Sequence, residues 1–247
     1  MEIRNASRGR WTREDRFFVG MALAILAAVM LGFARTFFLR PWFPDFPAPP
    51  ETFFMFHGAA FTAWVLLLVV QPSLVAMGRT DLHRALGKVG VALAIVMVVL
   101  GLIGALIAAR RATGFTGIPM PGVQFLIVPF GDMILFASFV GLAIARRDDP
   151  QTHKRLMILA TLNLVTAAVA RWPFDIMQGG PPVFFGLTDA FLVPLVVWDL
   201  VSRGRLHPVT LWGGLVIIVS QPLRLVLSGT AAWQGFGQWM VGLLGQG

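Results

Sequence analysis

The sequence predicts an all-α fold: a polytopic transmembrane helical bundle of seven spans, with its N-terminus inside and its C-terminus outside. Three observations carry that expectation. Of 247 residues, 57% are hydrophobic and only 13% charged, and the mean hydropathy of +0.76 is far above that of a soluble domain. Apolar stretches of about 16–25 residues recur seven times, near the length that crosses a hydrocarbon core. Most charges fall in the short segments between them.

Residues 1–16 form a basic segment (Arg4, Arg8, Arg10, Arg13 and Arg16) that resembles the start of a signal peptide. The apolar run that follows, Phe17–Leu39, has no small-x-small cleavage pattern, so it reads as an uncleaved first span. Six further spans are expected near Phe53–Met77, Val89–Ala109, Gly122–Ala145, Leu156–Arg171, Val183–Val201 and Leu211–Leu227. The tail Ala231–Gly245 reads as an outer interfacial helix. The whole chain, 1–247, is then a single transmembrane domain with its seven helices in 17–227.

Orientation follows from the cations. Of 20 Lys and Arg, 14 lie in the N-terminal segment and in the loops after spans two, four and six. Those segments belong on the cytoplasmic side of a bacterial inner membrane, against anionic lipid. The net charge of +8 is therefore a topology signal, with no nucleic-acid partner implied. The outer loops Arg40–Phe54, Gly114–Gly122 and Pro173–Phe185 are rich in Pro, Gly and Phe, and read as an apolar cap.

Absences narrow the chemistry. With no Cys there is no disulfide, thiolate metal site, iron–sulfur cluster or thiol catalysis, and with no Tyr there is no tyrosyl chemistry. The only lysines, Lys88 and Lys154, lie in inner segments, so a retinal Schiff base is excluded.

The polar residues inside the spans are the candidate site, because intramembrane polar groups are costly unless they serve a partner or a ligand. Asp132, Arg146, His153 and Arg171 in spans four and five recur as Asp189, Arg203, His207 and Arg224 in spans six and seven. This faint repeat places Asp132, Arg171, Asp189 and Arg224 in the outer half. Arg35, His57, Asp175 and Gln221 fall in the same region, and Pro72, Pro129, Pro194 and Pro222 interrupt the spans. Arg171 is expected to pair with Asp132, with Asp175 competing at i,i+4, and Arg224 with Asp189, unless the partners cross between hairpins. At the inner side His83, His153 and His207 each stand at the foot of an ascending span. Imidazoles there suit a metal or a haem, although interfacial caps have the same appearance.

The segments FHGAAFTAWVLLLVVQPSLVAMGRTDLHRALG, HKRLMILATLNLVTAAVARWPFD and DLVSRGRLHPVTLWGGLVIIVSQPLR resemble a family of uncharacterised bacterial multi-pass inner-membrane proteins, over most of Phe56–Arg224. The HxxLG pattern at His83 is distantly similar to haem membrane proteins of the cytochrome b type, but paired intramembrane histidines are missing. The expected function is binding or passage of a small anionic or amphipathic molecule at the outer-half polar site, with no cofactor. The alternatives are a redox protein holding b-type haem or quinone near the inner histidines, and a scaffold subunit of a membrane complex.

Overall fold

The computed structural model describes residues 11–47, 49, 52–115, 118 and 120–245, which leaves Arg4, Arg8 and Arg10 outside the described residues. The chain is a helical bundle, and no strand occurs among the described residues. Helix α1 (Arg13–Phe33) opens on a capping box: Thr12 Oγ1 accepts from the Asp15 amide at 3.1 Å, and the Asp15 carboxylate accepts from the Thr12 amide at 2.9 Å. It continues as a π turn over Ala34–Phe38. Helix α2 (Phe53–Ala76) carries Pro72, and α3 (Thr80–Arg110) runs for 31 residues.

Two of the expected spans are broken helices. The fourth consists of α4 (Gly122–Phe125) and α5 (Ile127–Ala145), interrupted at Leu126. Pro129 has no N–H, so the Phe125 carbonyl loses its i+4 donor where the helix breaks. The sixth consists of α7 (Pro181–Asp189) and α8 (Leu192–Arg203), where Pro194 does the same to the Ala190 carbonyl. Helix α9 (Pro208–Ser228) completes the spans. The tail forms α10 (Ala231–Gly242), which packs on α3, α4 and α9 and is pinned by Trp233 Nε1 donating to the Val123 carbonyl at 3.0 Å.

Six of these segments are long and apolar enough to cross a membrane: Arg13–Phe38, Phe53–Ala76, Thr80–Arg110, Gly122–Ala145, Pro181–Arg203 and Pro208–Ser228. The molecule is thus a multi-pass helical membrane bundle. The expected fifth span is also helical, as α6 (Pro150–Val169), but it is not among the six. It starts earlier than the apolar pattern indicates, because Asp149 caps it and Pro150 occupies its first position. The Asp149 carboxylate accepts from the Gln151 and Thr152 amides at 3.0 and 3.3 Å. These bonds and one from the Thr152 hydroxyl hold the Asp149 carboxyl below its ordinary range, the hydroxyl having the largest effect. Helix α3 likewise begins at Thr80, so His83, Arg84 and Lys88 lie on a helix rather than in a loop.

Helix α6 is the axis of the bundle. Twelve of its 20 residues are buried, and it packs against α1, α2, α5, α7 and α9. The approach of α1 is close enough that a Cβ built on Gly32 would stand 2.2 Å from the Ala168 carbonyl oxygen. Around this core, α3 turns Val89, Ile95 and Val99 outward, each more than half exposed, as a lipid-facing surface requires. Gly32→Ala is expected to lower stability by about 1–3 kcal/mol, since backbone must yield to backbone. Gly20→Ala, with nothing within 4 Å of the added atom, should not. Denaturation of the two variants in detergent compares them directly, and equal midpoints would contradict the α1–α6 contact.

Candidate functional site

A cavity of about 270 Å³ opens between α1, α2, α3, α5 and α6. Three of the predicted site residues line it, His57, Asp132 and Arg171. Its walls are mainly apolar, with eight phenylalanines and Trp64 among them. Trp64 is held by its indole N–H donating to Thr161 Oγ1 at 3.0 Å and by an edge-on contact with Phe136 at 5.0 Å. His57 Nδ1 donates to the Leu100 carbonyl at 3.4 Å, and the imidazole stacks on Phe61 at 4.2 Å. The π turn after α1 contributes Thr36, whose buried hydroxyl has no partner among the described residues. Single π turns inside helices occur often at functional sites.

The charge pairing crosses between hairpins. Asp132 does not pair with Arg171; it accepts from Arg224 NH1 at 2.6 Å. The same guanidinium donates to the Val128 carbonyl at 2.8 Å and, through Nε, to the Ser220 carbonyl at 3.1 Å. The Arg224 side chain reaches Asp132 across Gly131, where an added Cβ would stand 2.6 Å from Arg224 Cδ. Asn163 on α6 donates to the Asp132 backbone carbonyl at 2.8 Å, so that α5, α6 and α9 meet at one residue. Asp189, expected to partner Arg224, accepts from Gln221 at 2.9 Å instead. The crossing follows from the packing of α9 on α5, a contact that intervals along the chain do not encode.

Arg171 is left without an acid. It is half-buried, donates from NH1 to the Ala167 carbonyl at 2.5 Å and lies over the Phe33 ring at 5.1 Å. No carboxylate pairs with it among the described residues, and Asp175 is exposed in a short turn. Arg35 donates to the Arg171 carbonyl at 3.5 Å and lies over the Phe46 ring at 4.2 Å, beside the cavity rather than in its lining. Asp175, Asp189, Gln221 and Arg224 also lie outside the lining.

The structure brings His83 and His153 together, with ring centroids 6.3 Å apart. His153 Nδ1 donates to the Ala143 carbonyl at 2.8 Å. The Gln71 amide, turned with its nitrogen toward His83, donates to His83 Nδ1 at 2.6 Å and accepts from the Gly87 amide at 3.1 Å. His207 serves a different purpose, as the N-cap of α9, where its Nδ1 accepts from the Val209 amide at 3.1 Å. Burial, aided by the Arg155 and Arg203 charges, holds this imidazole below its ordinary range, consistent with a neutral acceptor. Among the described residues no group of three His, Asp or Glu is arranged to hold a metal.

Sequence reasoning missed the most deeply buried charges. Arg155, expected in an inner loop, is wholly buried against Asp199, each with a side-chain exposure of 0%. Arg155 Nε donates to Asp199 Oδ1 at 3.1 Å, a second bond runs from NH2, and Gln151 Oε1 accepts from NH1 at 2.7 Å. The other Asp199 oxygen accepts from the His207 amide at 3.0 Å, tying α6, α8 and the start of α9 together. Nearby, Lys154 pairs with Glu14, which also accepts from Gln151 at 3.0 Å. Two signals were present: the Asp149-Pro150 cap, which extends α6 through Arg155, and an Asp inside the end of an apolar span.

Removing one member of a buried pair leaves a stranded charge, at a cost of about 3–5 kcal/mol. Asp132→Leu or Arg224→Leu should therefore destabilise strongly, and the double variant should regain most of the loss. Arg171→Leu should have a much smaller effect, as it strands no carboxylate. A double-mutant cycle on denaturation midpoints in detergent checks this, and coupling of Asp132 to Arg171 rather than Arg224 would refute it. No family model, curated protein or solved structure matches the chain.

Proposed function

We propose that this chain is a seven-span bacterial inner-membrane protein, N-terminus inside and C-terminus outside, that binds a small anionic amphipathic molecule in the outer-half cavity beside Arg171. The observation that carries the reading is the charge imbalance there. Asp132 is neutralised by Arg224, while Arg171 lines the same apolar cavity with no acid among the described residues. A guanidinium against low-dielectric walls binds an anion more strongly than one in water. The aromatic walls favour the apolar part of such a ligand. Broken helices beside the cavity, α4–α5 above all, fit a site where irregular backbone faces a ligand rather than lipid.

Helix α6 serves as the seventh span in this reading. Its 20 residues reach about 30 Å at 1.5 Å per residue, the thickness of a hydrocarbon core. Its polar groups meet protein instead of lipid, which is why hydropathy alone does not select it. The clustering of 14 of 20 cations on alternate connections supports the orientation. With no native Cys, single probes report topology cleanly. Arg205→Cys should be labelled only from the cytoplasmic side and Gln178→Cys only from outside, and outside labelling of the former would overturn the topology.

Ligand binding is tested by calorimetry on detergent-purified protein with singly charged carboxylates and their uncharged amides. Carboxylates should bind saturably and amides at least about tenfold more weakly, a difference of about 1.4 kcal/mol. Arg171→Gln should abolish that preference without unfolding the protein. Equal binding of acid and amide, or an unchanged Arg171→Gln variant, would overturn the proposal.

A further inference from the structure

We infer that the occupant of the cavity is a compact aromatic carboxylate, a one-ring acid rather than a lipid-length chain, gripped jointly by Arg171 and Thr36. The inference rests on the anion-binding reading above and specifies its ligand.

Size sets the first limit. An enclosed apolar cavity of about 150 Å³ holds a benzene ring, or about 25 Å³ for each heavy atom. The observed volume of about 270 Å³ then accommodates about 11 heavy atoms, the scale of a single phenyl ring carrying a short acid chain, as in cinnamate. A sixteen-carbon fatty acid, with 18 heavy atoms, would need about 450 Å³ on the same scale.

Wall chemistry sets the second. The imidazole of His57, stacked on Phe61 at 4.2 Å, lines the cavity together with that ring, and Trp64 and Phe33 add further rings. Ring faces and edges attract another ring more than they attract a flexible chain, which also loses rotamer freedom on binding.

The polar groups set the third. The Thr36 hydroxyl is buried with no partner among the described residues, in a π turn (Ala34–Phe38) that also brings Phe37 to the cavity. Buried hydroxyls are rarely left unpaired, so this one points to a missing acceptor. Arg171 uses NH1 on the Ala167 carbonyl and has further donors to give. The Arg171 guanidinium and the Thr36 hydroxyl offer donors to the two oxygens of one carboxylate, while the other guanidinium in the lining, Arg111, lies over the Phe54 ring at 4.7 Å.

The test is calorimetry on the full chain in detergent with cinnamate, hexanoate, hexadecanoate, phenyl phosphate and cinnamamide. The expected result is tightest binding of cinnamate, at least about tenfold over every other probe. Thr36→Val should weaken cinnamate about fivefold, the worth of one hydrogen bond, while Thr36→Ser retains it. Hexadecanoate or hexanoate binding as tightly as cinnamate, still dependent on Arg171, would overturn the aromatic assignment and leave the anion site standing. Phenyl phosphate binding tightest would replace the carboxylate by a phosphate. Cinnamate binding unaffected by Thr36→Val and Arg171→Gln would mean partitioning into apolar surface and refute the inference. If no anion binds at all, the anion-binding reading fails with it.

Discussion

The structure depends on one constraint: a helix too polar to face lipid has to be enclosed by protein. Helix α6 carries Gln151, Lys154, Arg155, Thr161, Asn163 and Thr166 along a single length. Each polar group exposed to hydrocarbon would cost several kcal/mol, so the stable arrangement puts this helix at the centre and gives its side chains partners. Five other helices pack on it, and α8 reaches it through Asp199. Asp199 meets Arg155, Glu14 meets Lys154, Trp64 meets Thr161, and the Asp132 backbone meets Asn163. The apolar helices then turn their remaining faces outward, which explains how so many Val, Ile and Leu residues stay exposed in an ordered fold.

This enclosure is uneven from end to end. At the end where α6 begins the ionic groups are closed on one another, and the buried Arg155–Asp199 pair also fixes the backbone entering α9. A buried pair of this kind contributes less to net stability than its hydrogen bonds suggest, because both charges had to be desolvated. Its contribution is register: Arg155 has one geometry in which its donors are met, and that geometry sets α6 against α8. At the other end of α6 matching is incomplete. Arg224 crosses to Asp132, which leaves Asp189 to an amide and the Arg171 side chain, among the described residues, to a carbonyl and a ring. The cavity lies where the matching fails, and that coincidence directs the functional reading there.

The faint repeat of Asp, Arg, His and Arg is informative about architecture in a way its spacing did not indicate. Both hairpins are broken near their Asp, α4–α5 shortly before Asp132 and α7–α8 just after Asp189. The corresponding residues nevertheless serve different ends. Asp132 holds a guanidinium and Asp189 an amide, while His153 donates to a carbonyl and His207 accepts from an amide. Similar spacing therefore placed similar residues at similar positions on two hairpins without giving them the same neighbours.

The sequence by itself determined the class of object and where its difficulties lie. Helical length and apolar run depend on local composition, so six spans and the tail helix α10 were legible, as were the polar residues within the spans that lipid would not tolerate. His57, Asp132 and Arg171, named from position alone, do line one cavity. Only the tertiary structure decided the pairings: Arg224 with Asp132, Arg155 with Asp199, and Arg171 with no acid among the described residues. Thr36 was illegible for a related reason, since a threonine near a span end is ordinary until a π turn buries its hydroxyl at a cavity wall. Hydropathy is a sum over neighbours in the chain, whereas an ion pair depends on the distance between helices, and that distance is set by close contacts such as Gly32 on Ala168 and Gly131 on Arg224.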